Sequence, residues 1–158
     1  MEKKKAESFA SKYLYYVKLH GSYGWKSSDG TEKMVIGLNK EKQIADEPLL
    51  LEYLNLFKKI LSAAGGKLFV IGYGFGDKHI NEVIADSIKN SALKLYVLSP
   101  TDPESFITDL RKEKYTYGKV ILSGLKGYFP HELSKVFPAD QRKTDAWEEI
   151  RNCYFGSN

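Results

Sequence analysis

Three short stretches of this 158-residue chain hold the residue types from which a small-ligand site is built. The first is Gly72-Tyr73-Gly74-Phe75-Gly76-Asp77, set between an apolar run and a segment of helical periodicity. Glycines at such a junction let backbone amides approach a phosphate or a ribose. The helix that follows adds N–H groups and the positive end of its dipole. The spacing is G-x-G-x-G, one residue short of the G-x-G-x-x-G of dinucleotide-binding turns. The same glycines serve a tight strand-to-helix turn equally well without any ligand. Asp77 narrows the choice of ligand, because a carboxylate at the helix start satisfies those amides itself and repels phosphate. A ribose or an adenine therefore suits the turn better than a pyrophosphate. The second stretch is Ser99 with Asp102, at the end of the next apolar run, where Rossmann-type sheets place a polar side chain on a ribose. A plain loop start explains that pair equally well. The third is His20, in His20-Gly21-Ser22. An imidazole with a pKa near 6.5 acts as a general base at neutral pH, and structural hydrogen bonding is its competing role.

The other chemistry-bearing residues are dispersed. His79 falls in the first turn after Asp77, facing the glycine turn or solvent, and His131 in Phe129-Pro130-His131 reads as surface. Three histidines and one cysteine, Cys153, make no metal constellation and allow no internal disulfide. No G-x-S-x-G elbow, P-loop or Cys–His pair at a useful spacing is present. A net charge of +4, much of it in Lys3-Lys4-Lys5 and scattered lysines, does not call for a nucleic-acid partner, and no basic-aromatic motif supports one. No apolar run approaches the roughly 20 residues that cross a bilayer. The expectation is a soluble cytoplasmic protein with neither membrane nor nucleic acid as partner.

The elements that must position these residues follow from periodicity. At 42% hydrophobic and 13% aromatic the chain packs a core. With no repeat or linker, residues 1–158 read as one domain. Residues 2–12 have helical tendency, and Lys12–His20 has the aromatic and β-branched density of a strand. Lys33–Leu38 reads as a second strand, hairpin-paired with the segment around Trp25. Glu47–Ala64 is the clearest helix, with Pro48 in its first turn and Gly65-Gly66 beyond its end. Lys67–Gly72, apolar throughout, predicts a buried parallel strand. Asp77 is placed to cap a helix reaching about Asn90. Leu93–Leu98 is the next strand, Glu104–Lys112 a helix, and Lys119–Leu122 a last strand. A Trp147–Phe155 helix belongs to a C-terminal cover. This order is that of βαβ units, and it puts Gly72–Gly76, Ser99–Asp102 and Ser123-Gly124 at the carboxyl edge of one sheet.

Taken together, Lys18-Leu19-His20-Gly21-Ser22 and Val70-Ile71-Gly72-Tyr73-Gly74-Phe75-Gly76-Asp77-Lys78-His79-Ile80-Asn81 resemble the sirtuin-like (SIR2-like) domain family. The likeness is to its bacterial, zinc-less branch, found in phage-defence and other NAD-consuming proteins. It spans about residues 16–102. The resemblance implies an α/β fold, a Rossmann-like and mostly parallel sheet flanked by helices. It implies NAD as cofactor and NAD or ADP-ribose as ligand. His20 matches the catalytic histidine of the family's His-Gly pair, Gly72, Tyr73 and Gly74 match the ribose-binding Gly-Thr-Ser segment, and Ser99 matches the residue on the adenine ribose; Asp77 and Asp102 flank these positions. Two family motifs ordinarily precede the histidine, a Gly-Ala-Gly-type loop and a Thr-Gln-Asn-type segment, and neither occurs in the 19 residues before His20. The expectation is therefore a sheet truncated on its N-terminal side, the C-terminal part of a larger domain. Completed by those motifs it would be an NAD+ hydrolase; alone it would be inactive. The zinc-binding cysteines of protein-deacetylating sirtuins are absent. The competing reading is a catalytically silent interaction or dimerisation module, with Tyr13, Tyr15, Tyr16 and Trp25 forming the surface of a homo-oligomer.

Overall fold

A computed structural model describes residues 16–26, 30–35, 37 and 39–156, and the chain divides into two compact units, Met1–Asn55 and Leu56–Asn158. The expected helix over 2–12 and residues 12–15 of the expected first strand lie outside the described residues.

In the first unit, β1 (Gly21–Lys26) pairs antiparallel with β2 (Glu32–Met34), as the Trp25 hairpin predicts. Over the described residues 16–20 the strand expected to end at His20 is absent. Gly21 N–H donates to the Lys18 carbonyl at 3.1 Å, closing a turn at Leu19-His20, so the strand begins after the histidine. A short helix, α1 (Lys40–Ala45), follows, which carries too few periodic positions to be read from sequence. Among the described residues the core here comprises Val35, Ile44 and Leu50, with Trp25, Tyr53 and Leu54 packed on it. Leu50, Tyr53 and Leu54 come from α2 (Pro48–Leu61), whose 3.6-residue apolar stripe and Pro48 at the first helical position match the expectation.

The second unit is a three-stranded parallel sheet in the order β3 (Lys67–Ile71), β4 (Lys94–Leu98), β5 (Leu125–Phe129). β3 and β4 pair in straight register, Lys67 opposite Lys94 and Ile71 opposite Leu98, and Leu98 lies opposite Phe129. α3 (Lys78–Ser91) connects the first two strands; α4 (Pro103–Leu110) and α5 (Gly118–Gly124) connect the next two. The architecture is a mixed α/β, Rossmann-like sheet flanked by helices. Among the described residues β4 is the central strand, buried from Leu95 to Leu98 on both faces, while β3 is an edge whose Ile71 is 48% exposed. The double-faced burial expected of Lys67–Gly72 thus belongs to its neighbour. Tyr96 and Leu98 point to a cluster with Phe129, Val136 and Ile150, covered by Trp147, Cys153 and Tyr154. Those residues come from α6 (Leu133–Val136), α7 (Asp145–Ile150) and a π-helical turn, Arg151–Phe155, which together form the expected C-terminal cover.

One strand was misplaced by its composition. Lys119–Leu122 lies in α5, and the strand follows it at Leu125–Phe129. Two glycines explain why packing overrides β-propensity here. A Cβ on Gly118 would sit 1.7 Å from the Leu110 carbonyl oxygen, and one on Gly124 would sit 2.6 Å from the Ile88 side chain. The segment is helical because α5 seats its glycines against the end of α4 and the side of α3. No helix among the described residues is long and apolar enough to cross a membrane.

Candidate functional site

The carboxyl ends of β3 and β4 open onto the glycine turn and the loop 99–102, as the sequence expects. The third segment at this edge is Pro130-His131 after β5; Ser123-Gly124, expected there, sits instead at the end of α5.

The glycine turn is held from beneath. Gly72 takes a left-handed φ of +65°, which glycine adopts without strain. Phe75 also has a left-handed backbone, φ +55°, and is only 1% exposed. A non-glycine residue held there stores strain that its surroundings must offset. The offset comes from Asn81, on the second turn of α3 and itself buried. Its Nδ2 donates to the Phe75 carbonyl at 2.7 Å, and its Oδ1 accepts from the Tyr73 hydroxyl at 2.9 Å, which also lies 3.2 Å from the Asp77 carbonyl. Burial, reinforced by the nearby Asp77 carboxylate, pushes the Tyr73 pKa well above its ordinary value. Tyr73 is therefore a neutral donor that braces the turn.

Gly74 and Gly76 differ from Gly72. Neither has a left-handed φ, and a Cβ built on either meets no atom within 4 Å. Neither conformation nor packing in this chain requires glycine at 74 or 76. Their bare backbone faces open space at the sheet edge.

Asp77 occupies the N-cap position of α3 in extended conformation, but its side chain makes no capping hydrogen bond, contrary to the expectation that it satisfies the first-turn amides. Its carbonyl instead starts the helix by accepting from Asn81 N–H at 3.0 Å. His79 is buried within the first turn and does not face solvent.

At the end of β4 the chemistry is different. Ser99 N–H donates to the Phe129 carbonyl at 3.1 Å, and the Ser99 hydroxyl lies 3.3 Å from both the Thr101 hydroxyl and the Thr101 N–H. The Tyr128 hydroxyl donates to the Thr101 carbonyl at 2.7 Å. Asp102 caps α4, accepting from Ser105 N–H at 3.0 Å, with Pro103 at the first helical position. Hydrogen bonding from Ser105, side chain first and then backbone, holds the Asp102 carboxyl below the usual carboxylate range, so it is ionised at neutral pH. Hydroxyls and one carboxylate, with no cation in the segment 99–102, match the hydroxyls of a sugar and disfavour phosphate at this spot.

A row of four rings joins the two loops: Tyr73 to Phe75 at 4.9 Å, Phe75 to Phe106 at 5.8 Å, Phe106 to Tyr128 at 4.6 Å between centroids. No spacing rule connects residues so far apart in the chain, and the sequence gives no sign of the row. Asn81 closes the stretch that carries the family resemblance, but its bracing role is not legible from residue type.

His20 is half-buried in the first unit, its carbonyl accepting from Val35 N–H at 2.8 Å. The other expected site residues all belong to the second unit. His131 sits just past β5 with its Nε2 2.9 Å from the Glu149 carboxylate, a pair between the sheet edge and α7. Among the described residues no group of His, Cys, Asp and Glu could hold a metal ion. Of the expected exposed aromatics, Tyr13 and Tyr15 lie outside the described residues and Tyr16 is 81% exposed, whereas Trp25 packs into the core of the first unit against Tyr53.

A model of the SIR2-like domain family matches residues 6–119, extending past both ends of the resemblance seen at 16–102. No curated protein and no solved structure gives a significant match.

Proposed function

The chain belongs to the SIR2-like domain family, and we propose on that premise that it is the NAD-handling part of an NAD-hydrolysing bacterial protein of the phage-defence kind. Membership associates the chain with NAD-related chemistry; hydrolysis, the defence role and the residue assignments are our reading. The observation that carries it is the pair Gly74 and Gly76, whose lack of side chains answers no need of the fold yet leaves backbone open at the carboxyl edge of the sheet. In this reading 1–158 forms one domain.

NAD supplies a glycosidic bond between ribose and nicotinamide, whose cleavage by water is the reaction. Gly72, Tyr73 and Gly74 offer backbone groups to a ribose, with Tyr73 fixing the shape of the turn. Ser99 and Asp102 offer a hydroxyl and an ionised carboxylate to sugar hydroxyls. Asp77 lines the same turn and keeps phosphate away from it. His20 is the general base for attack at the nicotinamide ribose. The test is nicotinamide release by the full-length protein that carries this domain. His20→Ala should abolish release in a protein that still melts cooperatively, and turnover at the wild-type rate in that variant would remove His20 from the chemistry.

A second reading, a silent dimerisation module, draws on Tyr16 and Tyr23, which are 81% and 87% exposed. It is favoured if the purified chain is a stable dimer by light scattering and ADP-ribose produces no heat on titration.

A further inference from the structure

Residues 120–158 lie beyond the stretch matched by the family, and they hold a recess unrelated to the sheet edge. The cleft has a volume of about 250 Å³; Val136, Phe137 and Trp147 form its floor, and Gln141, Arg142 and Lys143 its rim. Phe137 and Trp147 are 5.6 Å apart between ring centroids, and the row continues from Trp147 to Phe155 at 6.2 Å. Phe137 is 53% exposed, Phe155 62% and nearby Leu133 52%. Single exposed apolar residues are ordinary, but a connected strip of them beside a recess marks a contact surface.

The size of the cleft limits what it can take. Small-molecule and nucleotide sites run from about 300 to 1,000 Å³. A recess below that range accepts one bulky side chain, the way an anchor residue enters a partner. The rim sets the charge. Arg142 and Lys143 are both on it and no carboxylate lines it; Asp140 lies 3.5 Å from the Arg142 guanidinium in an exposed pair that is worth little energetically. Gln141 has a left-handed backbone, φ +57°, at the turn that presents these two cations beside the rings.

We propose that this cleft docks a peptide segment of a partner protein in which one bulky apolar residue is flanked by aspartates or glutamates. The apolar residue enters between Phe137 and Trp147, and the flanking carboxylates meet Arg142 and Lys143. This site is independent of the sheet-edge reading and stands or falls separately.

The test uses the full chain and three fluorescein-labelled hexapeptides followed by anisotropy. One has a central Ser-Phe flanked by two glutamates on each side, the second the same centre flanked by lysines, and the third a central Ser-Ser flanked by glutamates. The first should bind at least tenfold more tightly than either comparator. Phe137→Ala should weaken it about tenfold, and the double change Arg142→Glu with Lys143→Glu should reverse the preference between the first two peptides. All three positions are at the surface, and thermal melts that match wild type establish that the variants are folded. Equal binding of the three peptides, or none at millimolar protein, overturns the proposal. So does a dimer in light scattering that Phe137→Ala dissolves while the acidic peptide fails to bind, because the strip then belongs to a second copy of the chain.

Discussion

The glycine turn and the loop after β4 stand side by side at the sheet edge and are held by opposite means. The turn, 72–77, contains a strained, buried Phe75 and depends on Asn81 and Tyr73, side chains whose polar groups are spent inside the protein. The loop, 99–102, is stabilised by short-range bonds at the surface: Ser99 to Thr101, and Asp102 to the first turn of α4. A turn fixed from below can hold its backbone in one shape while its upper side stays bare. A loop fixed locally keeps its hydroxyls and carboxylate within reach of a ligand. The difference assigns shape to the first and polar contact to the second.

Removing the buried brace should have the largest effect. Asn81→Ala leaves the Phe75 carbonyl buried without its donor, which costs about 2–3 kcal/mol, and lowers the melting temperature by roughly 5–10 °C. A loss no larger than that of an ordinary surface substitution would mean that the turn does not depend on Asn81.

Tyr73→Phe should cost about 1 kcal/mol, the net worth of one hydrogen bond. The pH dependence sharpens this. Burial raises the Tyr73 pKa above its ordinary 10.0, so the folded state holds the proton more tightly than the unfolded one. That contribution is complete below pH 10 and is lost as the pH rises through the folded value. Urea melts between pH 9 and 12 should therefore show a steeper alkaline loss in wild type than in Tyr73→Phe.

Asp102→Ala should have a smaller effect still, confined to the cap of α4. Its carboxyl is held below the usual range, so its contribution is present at neutral pH and disappears as the pH falls through that lowered value. The gap in melting temperature between wild type and variant should narrow on acidification; a gap that does not change with pH would mean that the cap does not act through the carboxylate.

The strong periodic elements were legible in the sequence. α2, α3, α4, β3, β4 and the Trp25 hairpin fall within a few residues of expectation, because amphipathic stripes and continuous apolar runs leave few alternatives. Lys119–Leu122 was misread because only contacts with Leu110 and Ile88 make it helical, and the strand after it is disguised by Gly127, whose Cβ would meet Tyr96 at 2.7 Å. The turn was legible as a turn, but its glycines were read as equivalent. Only Gly72 of the three needs its conformational freedom, while the second left-handed position falls on Phe75. Asp77 has the composition of a cap and does not act as one, a distinction that depends on side-chain geometry and not on residue type.

The central claim is that the open backbone at Gly74 receives a ribose. Isothermal titration of the purified chain with ADP-ribose, run alongside Gly74→Val, tests it most directly. Position 74 has neither a left-handed φ nor any neighbour within 4 Å, so the variant should keep the wild-type melting temperature. Wild type should bind and the variant should lose at least tenfold in affinity. Equal affinities in the two proteins, or no binding by wild type, would contradict the account.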